Sequence, residues 1–324
     1  MTEPRHPVWF ERPVLSAALP EVESAAVILG PRTPDDPYRD LTEAHAVIAG
    51  ASVFDANFID HAPKLRVIAR TGIGVDGVDL ETATERGVAV CNAPDGPTIS
   101  TAEHTMALLL AVAKNLANSA AQLRKGGTNL YAGHRGVELH AKTLGLVGFG
   151  RIARRVADMA AGFAMEIVAF DPHLDPTAFG SAQRVETLRE LVSGADVVSV
   201  HVPLVPENTA MFDADLFGAM KPGAIFINTA RGGLVDHGAL LAAIDAGILS
   251  GAGLDVTDPE PLEPDHPLLH RSNVVVTPHV ATATDDGKLR LLLTAFRQAI
   301  QVLDGERPPH LVNPEVWNRE ESTA

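Results

Sequence analysis

The sequence predicts an α/β fold in which a large, doubly wound parallel-sheet domain is inserted into a smaller α/β domain. Short runs rich in Val, Ile, Leu and Phe recur from Thr143 onward, alternating with segments of helical apolar spacing. A glycine-rich turn separates the first of these runs from the helix after it, and the amino-terminal third repeats the same alternation more weakly. Nearly continuous apolar content is what strands covered on both faces require, and apolar residues three and four apart give a helix one buried face.

The first strand candidates are Ala25–Leu29, Ala46–Ala49, Leu65–Ala69 and Val88–Cys91. Ser100–Ala117 then reads as a helix with an uncharged face, begun by a capping box of Ser100 and Glu103, bridging the domains and offering a dimer surface. Six parallel strands follow: Thr143–Gly148, Glu166–Phe170, Asp196–His201, Ala224–Asn228, Gly251–Val256 and Asn273–Thr277. Ile152–Ala161 and His237–Ala246 are helices between them, and Gly287–Leu303 is a last helix, ended by Asp304-Gly305-Glu306-Arg307-Pro308-Pro309. With no strand left to add to the large sheet, that helix can return to the first domain. The expected small domain is therefore discontinuous, residues 1–98 plus 290–324, with residues 99–289 as the inserted domain.

Length and composition narrow the function. The 324 residues suffice for two cores, and 46% hydrophobic with 21% charged residues is an ordinary globular balance. A formal charge of −15 without a basic patch argues against nucleic acid and anionic membrane as partners. The densest basic cluster, Arg151, Arg154 and Arg155, falls on one predicted helix. The single cysteine, Cys91, offers no internal disulfide and reads as a small buried apolar residue. Met1–Pro7 lacks the apolar core of a signal peptide, and the longest uncharged apolar run, Met106–Ala113, is too short to span a bilayer, so a cytoplasmic location is expected. No metal is expected.

Gly148-Phe149-Gly150-Arg151-Ile152-Ala153 fits the Gly-x-Gly-x-x-Gly/Ala pattern directly between a strand and a helix. Gly148 allows the tight turn, Gly150 lets backbone approach a pyrophosphate, and Ala153 keeps the helix close to its strand. Asp171 ends the next strand, 21 residues after Gly150, where an acid can accept hydrogen bonds from ribose hydroxyls and repel a 2′-phosphate. NAD is the expected cofactor.

Polar residues stand at the ends of three later strands, in Asn228-Thr229-Ala230-Arg231-Gly232-Gly233, in Asp255-Val256-Thr257-Asp258-Pro259-Glu260-Pro261 and in Thr277-Pro278-His279-Val280-Ala281. Taken singly, each residue has a plainer role: Arg231 in a surface salt bridge, Glu260 as a solvated acid, His279 as a satisfied core histidine. Together they supply what reduction of a 2-oxo acid needs. Arg231 can grip the carboxylate with its planar fork, His279 can deliver a proton, and Glu260 can hold the charged imidazole. His104, His134, His140, His237 and His266 lack such context and read as structural.

With these motifs, and with Gly145-Leu146-Val147-Gly148 and His201-Val202-Pro203-Leu204, the chain resembles the D-isomer-specific 2-hydroxyacid dehydrogenases from about Leu65 to Asn313. The resemblance implies a Rossmann NAD-binding domain set into a flavodoxin-like substrate domain, a small 2-oxo or 2-hydroxy acid substrate, and a homodimer. It puts Arg231, Glu260 and His279 at the catalytic positions and Arg151 and Ile152 at the pyrophosphate. It sets Asp171 at the ribose, Val202, Thr229 and Ala230 along the cofactor, and Asp255 near the nicotinamide carboxamide. Arg70-Thr71-Gly72-Ile73-Gly74-Val75-Asp76 is similar to the family's substrate loop, whose N–H groups meet the carboxylate. That loop and Asn92-Ala93-Pro94 are most similar to the phosphoglycerate dehydrogenase branch, in which Arg70 would lie near a phosphate, although Ala49-Gly50-Ala51-Ser52 lacks a second arginine. Two other readings stay open: an NADP-linked glyoxylate or hydroxypyruvate reductase, and a nucleotide-sensing co-regulator of the same fold.

Overall fold

A computed structural model describes residues 5–128 and 131–317. Residues 1–4 of the amino-terminal stretch and 318–324 of the carboxy-terminal segment lie outside the described residues. The chain divides into two compact units, residues 1–97 with 283–324, and residues 98–282.

The first unit opens with β1 (His6–Phe10), α1 (Leu19–Ala25), β2 (Ala26–Leu29), β3 (Ala46–Ala49), α2 (Ala56–Asp60), β4 (Val67–Arg70), α3 (Leu80–Glu85) and β5 (Ala89–Cys91). The five strands are parallel in the order β2-β1-β3-β4-β5, a flavodoxin-like arrangement. Asp55 and Asp79 start α2 and α3 by accepting the N–H groups of Phe58 and Thr82, each at 2.9 Å. β1 is absent from the expected strands, and it carries Pro7, a residue that cannot donate to a strand ladder. It nevertheless pairs on both sides, and its side chains alternate: Val8 and Phe10 enter one apolar cluster and Trp9 the other.

The second unit contains α4 (Thr98–Ala113), α5 (Leu116–Arg124), β6 (Thr143–Val147), α6 (Arg151–Ala161), β7 (Glu166–Phe170), β8 (Gln183–Arg184), α7 (Leu188–Gly194), β9 (Val197–Val200), α8 (Ala214–Gly218), β10 (Ala224–Asn228), α9 (His237–Asp245), β11 (Leu249–Leu254) and β12 (Val274–Val276). Its seven strands are parallel in the order β12-β11-β10-β9-β6-β7-β8, so the winding reverses between β6 and β9. Successive residues feed two cores: Val197, Ile225 and Ile227 pack with α4 and α6 residues, whereas Val198 and Phe226 pack with residues of α7, α8 and α9. This two-sided burial is why these strands read as unbroken apolar runs.

Two expectations about the helix after β5 are corrected. α4 begins at Thr98, and Ser100 lies inside it, buried, so Ser100 and Glu103 do not form a capping box at its start. The helix also lies wholly in the second unit and ends at Ala113, where Asn115 takes a left-handed conformation (φ 48°) before α5. Its apolar face packs on the sheet. A Cβ on Gly253 would lie 3.0 Å from Leu108 Cβ, and one on Gly251 would lie 2.7 Å from Val112 Cγ1.

The chain ends its regular structure with α10 (Asp285–Leu303) of the first unit, started by Thr284, whose hydroxyl accepts the Gly287 N–H at 3.0 Å. Leu292, Ala295, Phe296, Ala299 and Val302 pack with Phe10, Ile48, Val67 and Ala69 of that unit's sheet. Among the described residues, no helix is long and apolar enough to cross a membrane.

Candidate active site

β6 ends at Val147, and Gly148 turns the chain into α6 at φ +83°. A Cβ there would lie 2.8 Å from Val202 Cγ1 and 2.9 Å from the His201 carbonyl oxygen, so both conformation and space demand glycine. The turn stands where β6 and β9 adjoin and the winding reverses, the position at which open α/β sheets bind ligands. Gly150 caps α6, and a Cβ on it would meet nothing within 4 Å, which leaves the helix start open to approach. Behind it Ala153 is fully buried, Ile152 is half-buried and Arg151 is exposed.

Asp171, just past β7, accepts the N–H groups of Phe149 and His173, each at 3.0 Å. A carboxylate offers about four acceptor sites, so capacity for hydroxyl donors remains. Nε2 of His201 lies 2.9 Å from Ser199 Oγ, and burial pushes the His201 pKa down to about 4, so the ring is neutral beside the turn. A glycine cradle, an open helix N-terminus and an acid on the next strand fit a dinucleotide.

Fully buried Asn228 ends β10 and shapes the turn that presents Arg231. Its Oδ1 accepts the Ala230 N–H and its Nδ2 donates to the Arg231 carbonyl, both at 2.9 Å. The Arg231 guanidinium donates to the Ala230 carbonyl at 2.7 Å. A side chain at Gly232 would collide with the Thr257 backbone, so this turn lies directly against the segment leading to Glu260.

Asp255, after β11, is 1% exposed. Its Oδ1 accepts the Thr277 hydroxyl at 2.6 Å and the Val280 N–H at 2.9 Å, and its Oδ2 accepts the Ala281 N–H at 2.8 Å. Burial opposes its ionisation, but hydrogen bonds from His104, Thr277, Val280 and Ala281 outweigh burial and hold its pKa below the ordinary carboxylate value. The Asp255 carbonyl also accepts the His279 N–H at 2.7 Å. Consecutive N–H groups, those of residues 279, 280 and 281, thus all point at Asp255. They fix His279 in a left-handed conformation (φ 52°) that costs a non-glycine residue about 1–2 kcal/mol. Nδ1 of His279 then lies 2.7 Å from Glu260 Oε1, with both side chains partly open to solvent.

In the first unit, the Arg70–Asp76 loop is tied down through its carbonyl groups. Ala93 N–H donates to the Gly72 carbonyl at 2.8 Å, Asn92 Nδ2 to the Ile73 carbonyl at 2.9 Å, and Arg70 Nε to the Gly74 carbonyl at 3.0 Å. The preceding Ala49–Ser52 loop is held by Glu11, which accepts the Gly50 N–H and, at 2.7 Å, the Ser52 hydroxyl.

The structure thus pairs Glu260 with His279 and sets the Arg231 turn against the Glu260 segment. Sequence reasoning missed the work of Asn228, Asp255 and His104 in shaping these turns. His104 is the most distant: its Nε2 is 3.0 Å from Thr277 Oγ1 and 3.3 Å from Asp255 Oδ1. Asn228 and Asp255 left a signal, each a polar side chain closing an apolar strand, but not the hydrogen bonds by which they shape the turns; His104 left none.

Residues 106–281 match the family model for the NAD-binding domain of D-isomer specific 2-hydroxyacid dehydrogenases. The chain belongs to that family. Gly148, Asp171, Arg231, Glu260 and His279 all fall in the matched domain. Among curated relatives of this chain, the D-3-phosphoglycerate dehydrogenase of Methanocaldococcus jannaschii is 39% identical over 82% of this chain and 51% of its own. The chain therefore spans about half the length of such relatives. The glyoxylate reductase of Korarchaeum cryptofilum is 40% identical over 81% of this chain and 80% of its own. A crystal structure of a protein from Thermus thermophilus superposes with a TM-score of 0.85 at 40% identity, covering 94% of this chain and 99% of that one.

Proposed function

We propose that the protein is an NAD-dependent dehydrogenase of small D-2-hydroxy acids and the corresponding 2-oxo acids, with phosphoglycerate-like acids, hydroxypyruvate and glyoxylate as candidate substrates. The observation that carries this reading is the 2.7 Å contact of His279 with Glu260, beside the turn that presents Arg231. NAD, when bound, supplies or takes up the hydride at C2. Gly148, Gly150, Arg151, Ile152, Asp171, Val202, Thr229, Ala230 and Asp255 would hold it.

In reduction, Nε2 of His279 delivers its proton to the oxygen on C2, while Glu260 holds the imidazolium at Nδ1. Arg231 binds the carboxylate with its fork and polarises the carbonyl. Oxidation reverses these transfers, with His279 taking the hydroxyl proton. In the first unit, Gly72, Ile73 and Gly74 belong to the loop assigned to substrate, and among the described residues their N–H groups donate to no protein acceptor. Arg70 is assigned to the same substrate loop.

A cytoplasmic homodimer completes the proposal. The lone cysteine is buried, and burial raises its thiol to about 12. α5 exposes Leu116 and Leu123, seven residues apart and so on one helical face, which suits a second copy. Sedimentation velocity reads the dimer.

A panel of 2-oxo acids with NADH tests the reaction, with catalytic efficiency ranking the substrates. His279→Ala is expected to lower kcat by about 10²–10⁴-fold, with NADH binding by fluorescence titration close to wild type. NADH binding without turnover of any acid favours the co-regulator instead, and a His279→Ala enzyme keeping most turnover removes His279 from proton transfer.

A further inference from the structure

We propose that His104 is a positioning residue whose hydrogen bonds to Thr277 and Asp255 hold the left-handed turn that carries His279. The inference rests on the reading of His279 as proton donor and adds a residue from α4, remote in sequence from every strand-end motif.

The hydrogen-bond directions follow from the number of protons available. Asp255 is an ionised carboxylate and can only accept. The Thr277 hydroxyl has one proton, and at 2.6 Å it goes to Asp255 Oδ1. Toward His104 the same hydroxyl must therefore accept, so Nε2 of His104 carries a hydrogen directed at Thr277 Oγ1 (3.0 Å) and Asp255 Oδ1 (3.3 Å). Asp255 in turn accepts the Val280 and Ala281 N–H groups, which lock the turn immediately after His279. His104 thus fixes the orientation of the carboxylate onto which the turn is built.

The neighbouring residue extends this hold. Thr105 Oγ1 donates to the Thr101 carbonyl at 2.8 Å, so across its 2.9 Å contact with Thr229 Oγ1 it accepts. Thr229 stands two positions before Arg231 in the chain. One turn of α4 therefore anchors the segments that present both Arg231 and His279. A histidine that merely satisfied a buried polar group would need no such convergence.

Amide hydrogen exchange at Val280 and Ala281 in the cofactor-free protein tests the hold directly. His104→Leu should speed exchange there by about tenfold or more, the scale of one hydrogen bond to a charged group. His104→Gln, which restores an N–H donor, should return protection toward wild type. In the reductive assay, kcat should fall by about tenfold or more in the leucine variant and recover to within about threefold in the glutamine variant. Thr277→Val, which removes both the acceptor of His104 and the hydroxyl donated to Asp255, should lose at least as much protection as His104→Leu and serves if that variant fails to fold. Unchanged protection in a folded leucine variant, kcat within threefold of wild type, or a glutamine variant no better than leucine overturns the proposal. A wild-type protein that turns over no 2-oxo acid overturns the proposed reaction instead, and exchange alone then decides whether His104 holds the turn.

Discussion

Nδ1 of His279 lies 2.7 Å from Oε1 of Glu260, across a separation of 19 residues in the chain. One ring nitrogen is thereby committed to a carboxylate, and Nε2 is the atom left to meet a substrate. The pair lies on two separate strand-end segments, and Asp255 sets the position of one of them.

Glu260→Gln keeps the shape and one acceptor but removes the carboxylate charge beside Nδ1 of His279. In the proposed reduction kcat should fall by about tenfold or more, the scale of one hydrogen bond to a charged group, with NADH binding by titration close to wild type. A variant that keeps wild-type kcat removes Glu260 as the partner.

Asp255→Asn replaces an acceptor-only group by one that presents an NH₂ to N–H donors. A loss of about 2–3 kcal/mol at neutral pH is expected, the scale of hydrogen bonds to a charged group. Because the folded-state pKa of Asp255 is lowered, its ionised form contributes fully above the unfolded value, near pH 4, and the contribution is lost as pH falls through the folded value. Denaturant melts of the two proteins should therefore converge on acidification below about pH 4. A gap that persists or widens there contradicts the assigned charge.

Gly148→Ala meets two obstacles at once, a positive φ and the Val202 and His201 atoms within 3 Å of the new methyl. Destabilisation of about 1–3 kcal/mol and weaker NADH binding should appear together in thermal melts and titrations. Unchanged NADH affinity would remove this turn from the cofactor site.

Asp171 should make NADH the better cofactor, since a 2′-phosphate would face its carboxylate. Asp171→Ser should narrow the ratio of catalytic efficiencies for NADH and NADPH. Equal or better use of NADPH by the wild-type protein would end the proposed ribose role of Asp171.

What could be read from the sequence follows from where the information lies along it. β6 and β10 were visible because two-sided burial leaves runs with no charged residue. β8 was not, since Gln183 and Arg184 are exposed and pair through backbone alone. Ser100 misled because serine followed by Glu103 imitates a helix start, whereas its real environment is interior packing. Arg231, Glu260 and His279 stood out as polar residues closing apolar strands. His104 could not, because its partner Thr277 is 173 residues away and only the fold supplies the pairing.

The discontinuous first unit has a consequence for synthesis. Its five-stranded sheet takes part of its covering from α10, made only after all 185 residues of the second unit have been translated. Phe10, Ile48 and Val67 are therefore produced long before Phe296 and Val302 exist to cover them. On a translating ribosome the second unit can finish folding first, while the earlier sheet waits with one oily face only partly covered. That interval is when a chaperone has something to hold, and when two nascent chains are most apt to stick together.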